Sequence, residues 1–148
     1  MVYQQSGEGD EMPYDALNYK HRLELVLKTI DKDSAISDRN KKAFMSFKEN
    51  CIIEKISLGR IIKYLYDLRT LAKMLGKDYE AANKDDIRAL IGRLEQETHF
   101  IKRYNKSVGY QENTKRDFRI TLRKFYKWLR ETEDYPEEVK WIKTHDKK

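Results

Sequence analysis

The stretch QENTKRDFRITLRKFYKWLR, residues 111–130, decides the fold class of this chain. Four large apolar side chains recur in it at helical spacing, and at about 100° per residue they fall within an arc of about 60°. These residues are Phe118, Leu122, Phe125 and Leu129. The pattern predicts a long amphipathic helix that turns one apolar face to a core.

Basic side chains line what we expect to be the outward side of the same helix. Five of them fall within an arc of roughly 80° and a length of about 21 Å. They are Arg116, Arg119, Arg123, Lys127 and Arg130, and we call them the basic stripe. Because like charges one turn apart repel each other, an outward face usually carries compensating carboxylates. A stripe left unneutralised is typical of a surface that follows phosphates, and a solvated cationic face without a partner is the alternative.

Helical spacing also recurs in the rest of the chain. The predicted helices begin near Asp15, Ser37, Ser57, Asn83 and Asn113. Serine and asparagine at these starts are good N-cap residues, and a short last helix follows the pair Tyr135-Pro136. The chain is therefore expected to be all-α, a compact bundle of four to five main helices plus a short C-terminal helix.

The same spacing divides the chain into three parts. Residues 1–13 lack apolar periodicity and are expected to be a disordered lead-in. Residues 14–134 are expected to form the helical domain, and residues 135–148 the short helix and the start of a linker. The segment from His99 to Gln111 is expected to be a basic loop, although Phe100 and Ile101 could extend the fourth helix. No stretch alternates with period two, so no strand is predicted.

Composition limits the class of protein. With 148 residues, 39% apolar and 38% charged, the chain fits one globular domain. No run approaches the roughly 18 apolar residues of a membrane span, and the first residues lack the pattern of a secretory signal. One cysteine, Cys51, allows no disulfide within the chain. We therefore expect a cytoplasmic protein without a membrane segment.

The net charge of +6 is unevenly distributed. Residues 111–130 hold seven basic and two acidic side chains, residues 57–73 hold four and one, and residues 100–110 hold three and none. The segments 1–36, 74–99 and 131–148 are each net acidic. Since a merely soluble surface intersperses its signs, a polyanion is the expected partner.

No arrangement of residues points to an enzyme. The three histidines lie in separate segments without metal-ligand spacing, and the sequence has no glycine-rich phosphate loop. Cys51 lies on the apolar side of its helix and is expected to pack rather than react. The sequence thus predicts no catalytic residue, metal or cofactor.

The third helix carries a smaller basic cluster. Arg60, Lys63 and Tyr64 share one flank near its N-terminus, where free backbone N–H groups favour an anion. Residues 57–69 follow the pattern S-x-x-R-x-x-x-Y-x-x-x-L-R, and residues 111–123 follow Q-x-x-T-x-x-x-F-x-x-x-L-R. Two predicted helices therefore share one template of spacing.

The two templates belong to an ordered set of motifs, with KDDI at residues 84–87 between them and YPEEVKWIK at residues 135–143 after them. The set resembles the core-binding (SAM-like) N-terminal domain of tyrosine recombinases of the phage-integrase family, and looks most like its archaeal branch. The resemblance covers residues 15–145. The chain departs from it at Arg60, where the family commonly has threonine, and at Gln111, which replaces serine.

The resemblance implies a helical bundle that closes one side of a clamp around double-stranded DNA, in DNA integration or recombination. The third and fifth helices would lie along the major groove and the adjacent backbone. The residues assigned to DNA contact by the resemblance are Ser57, Arg60, Lys63, Tyr64, Thr114, Lys115 and Arg116, and the basic stripe adds Arg119, Arg123 and Lys127.

The family's cleavage chemistry needs a second domain with arginines, a His-x-x-Arg segment and a tyrosine nucleophile. The sequence stops at Lys148, where that domain would begin, so the resemblance implies a non-catalytic binding half. Its expected partners are duplex DNA and the catalytic domain of the parent recombinase, with self-association only on DNA. The alternative is a helical adaptor that binds an acidic protein through the same basic stripe.

Overall fold

A computed structural model of the chain describes residues 18–96, 98–101 and 106–144. Its elements are α1 (Tyr19–Lys32), α2 (Asp38–Ile53), α3 (Leu58–Leu75), a 3₁₀ turn (Tyr79–Ala81), α4 (Lys84–Gln96), β1 (Thr98–Ile101), β2 (Lys106–Gly109), α5 (Glu112–Leu129) and α6 (Glu137–Lys140). The expected all-α class is confirmed. The predicted lead-in at residues 1–13, and residues 15–17 of the first predicted helix, lie outside the described residues.

Local hydrogen bonds explain where the helices begin and end. Ser37 and Ser57 cap α2 and α3, and each hydroxyl oxygen accepts a hydrogen bond from the backbone N–H three residues later. At the start of α4, the side chains of Asn83 and Asp86 each accept a 2.9 Å hydrogen bond from the other's backbone N–H. Gly76 ends α3 at a φ of 73°, a left-handed conformation that glycine adopts without strain.

The core is centred on Phe125 of α5. Its ring is fully buried, with its centroid 5.2 Å from that of Phe47 and 5.0 Å from that of Tyr79. The Tyr79 hydroxyl donates to the carbonyl of Leu68, and the Tyr126 hydroxyl donates to the carbonyl of Tyr79. Since burial raises the pKa of both phenols, they stay protonated donors. These bonds connect α3 and α5 through the 3₁₀ turn.

The C-terminal helix packs onto the bundle. Val139 and Ile142 are buried in the common core, and α6 contacts both α4 and α5. The indole N–H of Trp141 donates a 2.8 Å hydrogen bond to the carbonyl of Glu138, which closes the last turn. The chain is therefore part of the packed bundle as far as Ile142, and the predicted domain boundary at residue 134 stays a prediction.

A β-hairpin connects α4 to α5. Strands β1 and β2 pair antiparallel, with Thr98 opposite Gly109 and Ile101 opposite Lys106. The expectation of a loop from His99 to Gln111 is therefore wrong for both strands, and so is the option of extending the fourth helix through Phe100. Strands of four residues are too short for a period-two pattern to show in the sequence, because each strand is stabilised mainly by its partner.

Candidate nucleic-acid interface

The two templates occupy equivalent environments in the fold. Tyr64 and Phe118 are 7% and 5% exposed, while Leu68 and Leu122 are fully buried. The first residue of each template is the N-cap of its helix, α3 or α5. The repeated spacing thus indicates that both helices begin at the same template position and bury the same template positions. Tyr64, which was assigned to DNA contact, has its ring against Phe47, with 5.9 Å between centroids.

Residues at equivalent template positions contact each other across α3 and α5. Lys63 Nζ lies 3.8 Å from Asp117 Oδ2, and the Thr121 hydroxyl donates a 2.7 Å hydrogen bond to Asp67 Oδ2. The members of each pair are 54 residues apart in the chain, which is also the offset between the two templates. The two helices that the sequence singled out are therefore neighbours.

Asp67 is the buried link between these helices. Its side chain is 3% exposed, with Oδ1 3.0 Å from Lys63 Nζ on the same helix and Oδ2 bonded to Thr121 on α5. Desolvation raises the pKa of Asp67, and the hydrogen bonds from Thr121 and Lys63 oppose this shift. With both oxygens bonded, the carboxyl group holds the half-exposed Lys63 ammonium at the edge of α3.

A groove of about 400 Å³ opens along this contact. Its lining includes Ser57, Arg60, Lys63 and Tyr64 from α3, and Asp117, Ile120 and Thr121 from α5. Arg60 is exposed, and its guanidinium has no partner within the described part of the chain. The structure therefore gathers all four predicted DNA contacts of the third helix at one groove beside α5.

The other flank of α3 is engaged with α1. Asp33 Oδ2 lies 3.1 Å from Arg69 Nε and 2.7 Å from Lys73 Nζ. Chiefly through the hydrogen bond from Lys73, these cations lower the pKa of Asp33 to about 2. Both basic residues thus connect α1 to α3, and the free positive charge of α3 is at its groove end.

Two of the five cations of the basic stripe form ion pairs with flanking helices, contrary to expectation. Arg119 Nη2 lies 2.8 Å from Glu95 Oε2 on α4, and Arg130 Nε lies 2.9 Å from Glu138 Oε2 on α6. All five stripe residues are half-buried. The physical reason is angular: the centre of the basic arc lies only about 130° from that of the apolar arc, so the stripe borders the core and meets neighbouring helices.

The second half of the stripe is covered by the C-terminal segment. The ring centroid of Tyr135 lies 3.9 Å from Arg123 Cζ and 5.1 Å from Lys127 Nζ, so one ring contacts two cations. Arg123 Nη1 donates a 3.4 Å hydrogen bond to Thr144 Oγ1, and Arg123 Nε is buried without a hydrogen-bond partner. Arg123 is therefore part of the packing between α5 and residues 135–144 as well as a cation of the stripe.

The first turn of α5 holds the remaining predicted contacts. Lys115 Nζ lies 3.2 Å from Glu95 Oε1 and 3.3 Å from Glu112 Oε2, and chiefly the bond to Glu95 raises the pKa of this lysine. The side chain of Lys115 is only 13% exposed, and Thr114 and Arg116 are half-buried. This end of α5 is thus already occupied by carboxylates.

We next consider metal binding, cysteine reactivity and membrane insertion among the described residues. They contain no group of three or more histidine, cysteine or acidic side chains placed to hold a metal ion. Desolvation raises the pKa of Cys51 to about 11, so this buried thiol stays protonated. Across the ranges that the structure describes, none of the helices combines the length and apolar character needed to cross a bilayer.

Sequence reasoning missed three residues that shape this surface: Asp67, Glu95 and Tyr135. Asp67 carried a signal, because it is the only acidic residue of α3 and is spaced at helical intervals from the buried Tyr64 and Leu71. Glu95 and Tyr135 gave no such signal, since Glu95 lies 24 positions from Arg119, and Tyr135 lies 12 and 8 positions from Arg123 and Lys127.

A comparison with protein-family models identifies the family of the chain. The model described as phage integrase, N-terminal SAM-like domain, matches residues 44–133, which is more than half of the chain and includes α3, α4, the hairpin and α5. Searches of curated proteins and of solved structures gave no significant match. On the strength of the family match, the chain belongs to the phage integrase N-terminal SAM-like domain family.

Proposed function

We propose that the chain binds double-stranded DNA through α3 and α5, as the core-binding half of a tyrosine recombinase or integrase clamp. Family membership supports a role in recombination. The proposal rests chiefly on the groove between the two template helices, because it sets Arg60 and Lys63 beside the most positively charged segment of the chain. The unpaired Arg60 at this groove, together with the cations that α5 carries outside it, can follow a phosphate backbone.

The predicted contacts divide by chemistry in this proposal. Arginines and lysines neutralise phosphates, and an arginine of α5 can fork onto a guanine edge where the helix enters the major groove. The hydroxyls of Ser57, Tyr64 and Thr114 supply neutral hydrogen bonds to phosphate oxygens. The cations in these roles are Arg60, Lys63, Lys115, Arg116, Arg119, Arg123 and Lys127.

The finer parts of the proposal come from the sequence motifs. Residues 84–87 and 135–143 indicate a domain of the archaeal type. The partner for strand cleavage is the catalytic domain of the parent recombinase, so these residues bind rather than cut. We further infer that copies associate only on DNA, and that the protein acts in the cytoplasm, where DNA is accessible to it.

An NMR titration tests where DNA binds. Adding a short mixed-sequence duplex to the 15N-labelled chain should shift the amides near Arg60 and those of residues 116–127, because phosphates approach α3 and α5 together. The outer face of α1, around Lys28 and Lys32, is the internal control and should shift little. If the shifts cluster around Lys28 and Lys32, or none appears at millimolar duplex, the proposal is wrong.

The adaptor alternative has one observation in its favour. The stripe already accepts carboxylates, from Glu95 and from Glu138, so an acidic protein could replace them. A glutamate-rich peptide of the same net charge as the duplex separates the two functions. DNA binding predicts that the duplex shifts the α3 and α5 amides at lower concentration than the peptide, and the adaptor predicts the reverse order.

A further inference from the structure

Glu95, near the end of α4, holds two of the predicted DNA contacts at once. Its Oε2 lies 2.8 Å from Arg119 Nη2, and its Oε1 lies 3.2 Å from Lys115 Nζ. The Glu95 side chain is 40% exposed, while those of Lys115 and Arg119 are 13% and 22% exposed. Among Glu95, Lys115 and Arg119, the carboxylate of Glu95 is thus the most exposed to solvent.

A carboxylate and a phosphate bind the same N–H donors of Arg119 and Lys115. Both anions accept charge-assisted hydrogen bonds from guanidinium and ammonium groups, and one N–H cannot serve both at full strength. The pKa of Glu95 is lowered, first by the hydrogen bond from Arg119, so the carboxylate is ionised at neutral pH. A phosphate that takes the N–H groups now bonded to Glu95 therefore competes with this carboxylate.

Building on the proposed DNA binding, we propose that Glu95 is an internal competitor of the DNA backbone for Arg119 and Lys115. It sets how many phosphates α5 neutralises, and so it lowers affinity for DNA of unrelated sequence, which depends on backbone contacts. Arg119 is the cation that Glu95 controls most, because Lys115 retains a second carboxylate, Glu112, at 3.3 Å.

Glu95→Gln tests this role, because glutamine keeps a neutral acceptor for Arg119 and removes the charge. Fluorescence anisotropy on a mixed-sequence duplex should show about 8-fold tighter binding at 0.1 M salt, the value of one additional phosphate contact. The slope of log affinity against log salt should become more negative by about 1. Glu95→Ala, which removes the acceptor altogether, should give a similar gain.

Two controls separate this effect from a general gain of positive charge. Glu24→Gln on α1 changes the net charge equally, and Glu24 forms no ion pair within the described part of the chain. The affinity of this variant for the duplex should change less than about 2-fold, because the substitution releases no predicted DNA contact and salt screens an isolated exposed charge. Arg119→Gln should weaken binding more in the Glu95→Gln background than in the wild-type chain, since there Arg119 no longer has to leave a carboxylate.

The outcomes distinguish this inference from the function on which it rests. If the wild-type chain and Glu95→Gln both fail to bind duplex DNA, the proposed function is wrong, and the competition with it. If the wild-type chain binds and Glu95→Gln behaves like Glu24→Gln, DNA binding stands and the role of Glu95 is refuted. The same refutation follows if Arg119→Gln costs equal affinity in both backgrounds.

Discussion

Replacing Arg60 and Lys127 together by glutamine is expected to weaken duplex binding roughly 60-fold at 0.1 M salt. These two predicted contacts, one on α3 and one on α5, have no carboxylate partner within the described residues. Their loss is therefore not offset by releasing an intramolecular ion pair. Each phosphate contact raises the binding constant about 8-fold at this salt concentration, so the loss of two contacts accounts for the roughly 60-fold effect. Anisotropy with a labelled duplex measures it.

The matched control for this prediction lies on α1. Lys28 and Lys32 are exposed, have no described side-chain partner and lie outside the proposed interface, so replacing both by glutamine lowers the net charge equally. The double control variant should bind within about 3-fold of the wild-type chain, as expected when remote surface charges are screened. Equal losses in the two double variants would mean that DNA responds to net charge and not to the edge formed by α3 and α5.

Phe125→Ala is expected to destabilise the fold by about 3–5 kcal/mol. The ring is fully buried among the rings of Phe44, Phe47, Tyr79 and Trp128, with centroid separations of 5.0 to 5.9 Å. Its removal leaves a cavity and ends several edge-to-face contacts at once. The free energy of unfolding of a domain of this size is about 5–15 kcal/mol, so the substitution removes much of the stability. Urea unfolding followed by circular dichroism at 222 nm gives the difference.

Phe125→Leu is the companion variant, since leucine keeps part of the volume without the ring. It should cost roughly 1–2 kcal/mol, which is less than the alanine variant. If alanine costs no more than leucine, the site has collapsed around the deletion, and Phe125 is not the centre of the core that joins α2, α3 and α5.

The main helices could be predicted because their signals are local. Apolar spacing, a serine at each start of α2 and α3, and Gly76 at the end of α3 all act within a few residues. The shared template of α3 and α5 was also visible, and the fold shows that its aromatic and leucine positions are buried in both helices. Spacing alone did not reveal that equivalent template residues contact each other.

The ion pairs of Arg119 and Arg130 and the hairpin could not be predicted, for a common physical reason. Arg119 meets a carboxylate on α4 and Arg130 one on α6, and only tertiary packing brings those helices to the flank of α5. Each strand of the hairpin likewise depends on its partner and has too few residues to show a period. Helical geometry predicts on which face of its helix a residue lies. It does not predict which residue of another helix or strand packs against that face.

The ion pairs of Arg119 and Arg130 affect which side chains can contact DNA first. The carboxylate of the Arg119–Glu95 pair is 40% exposed, and an ion pair open to solvent contributes about 1 kcal/mol or less, so a phosphate can replace Glu95 at modest cost. The unpaired Arg60 and the groove-edge Lys63 are then the natural first contacts, with α5 engaging as its carboxylates are displaced. This order makes α3 more important for binding than the charge of α5 alone suggests.

The salt dependence of duplex binding by the wild-type chain tests the central claim most directly. Anisotropy titrations from 50 to 300 mM salt should give a micromolar dissociation constant at the low end and a log–log slope of roughly −4 to −6, as expected when five to seven phosphates are neutralised. A slope near zero, or no binding at the lowest salt, would contradict the claim that α3 and α5 form an interface for the DNA backbone.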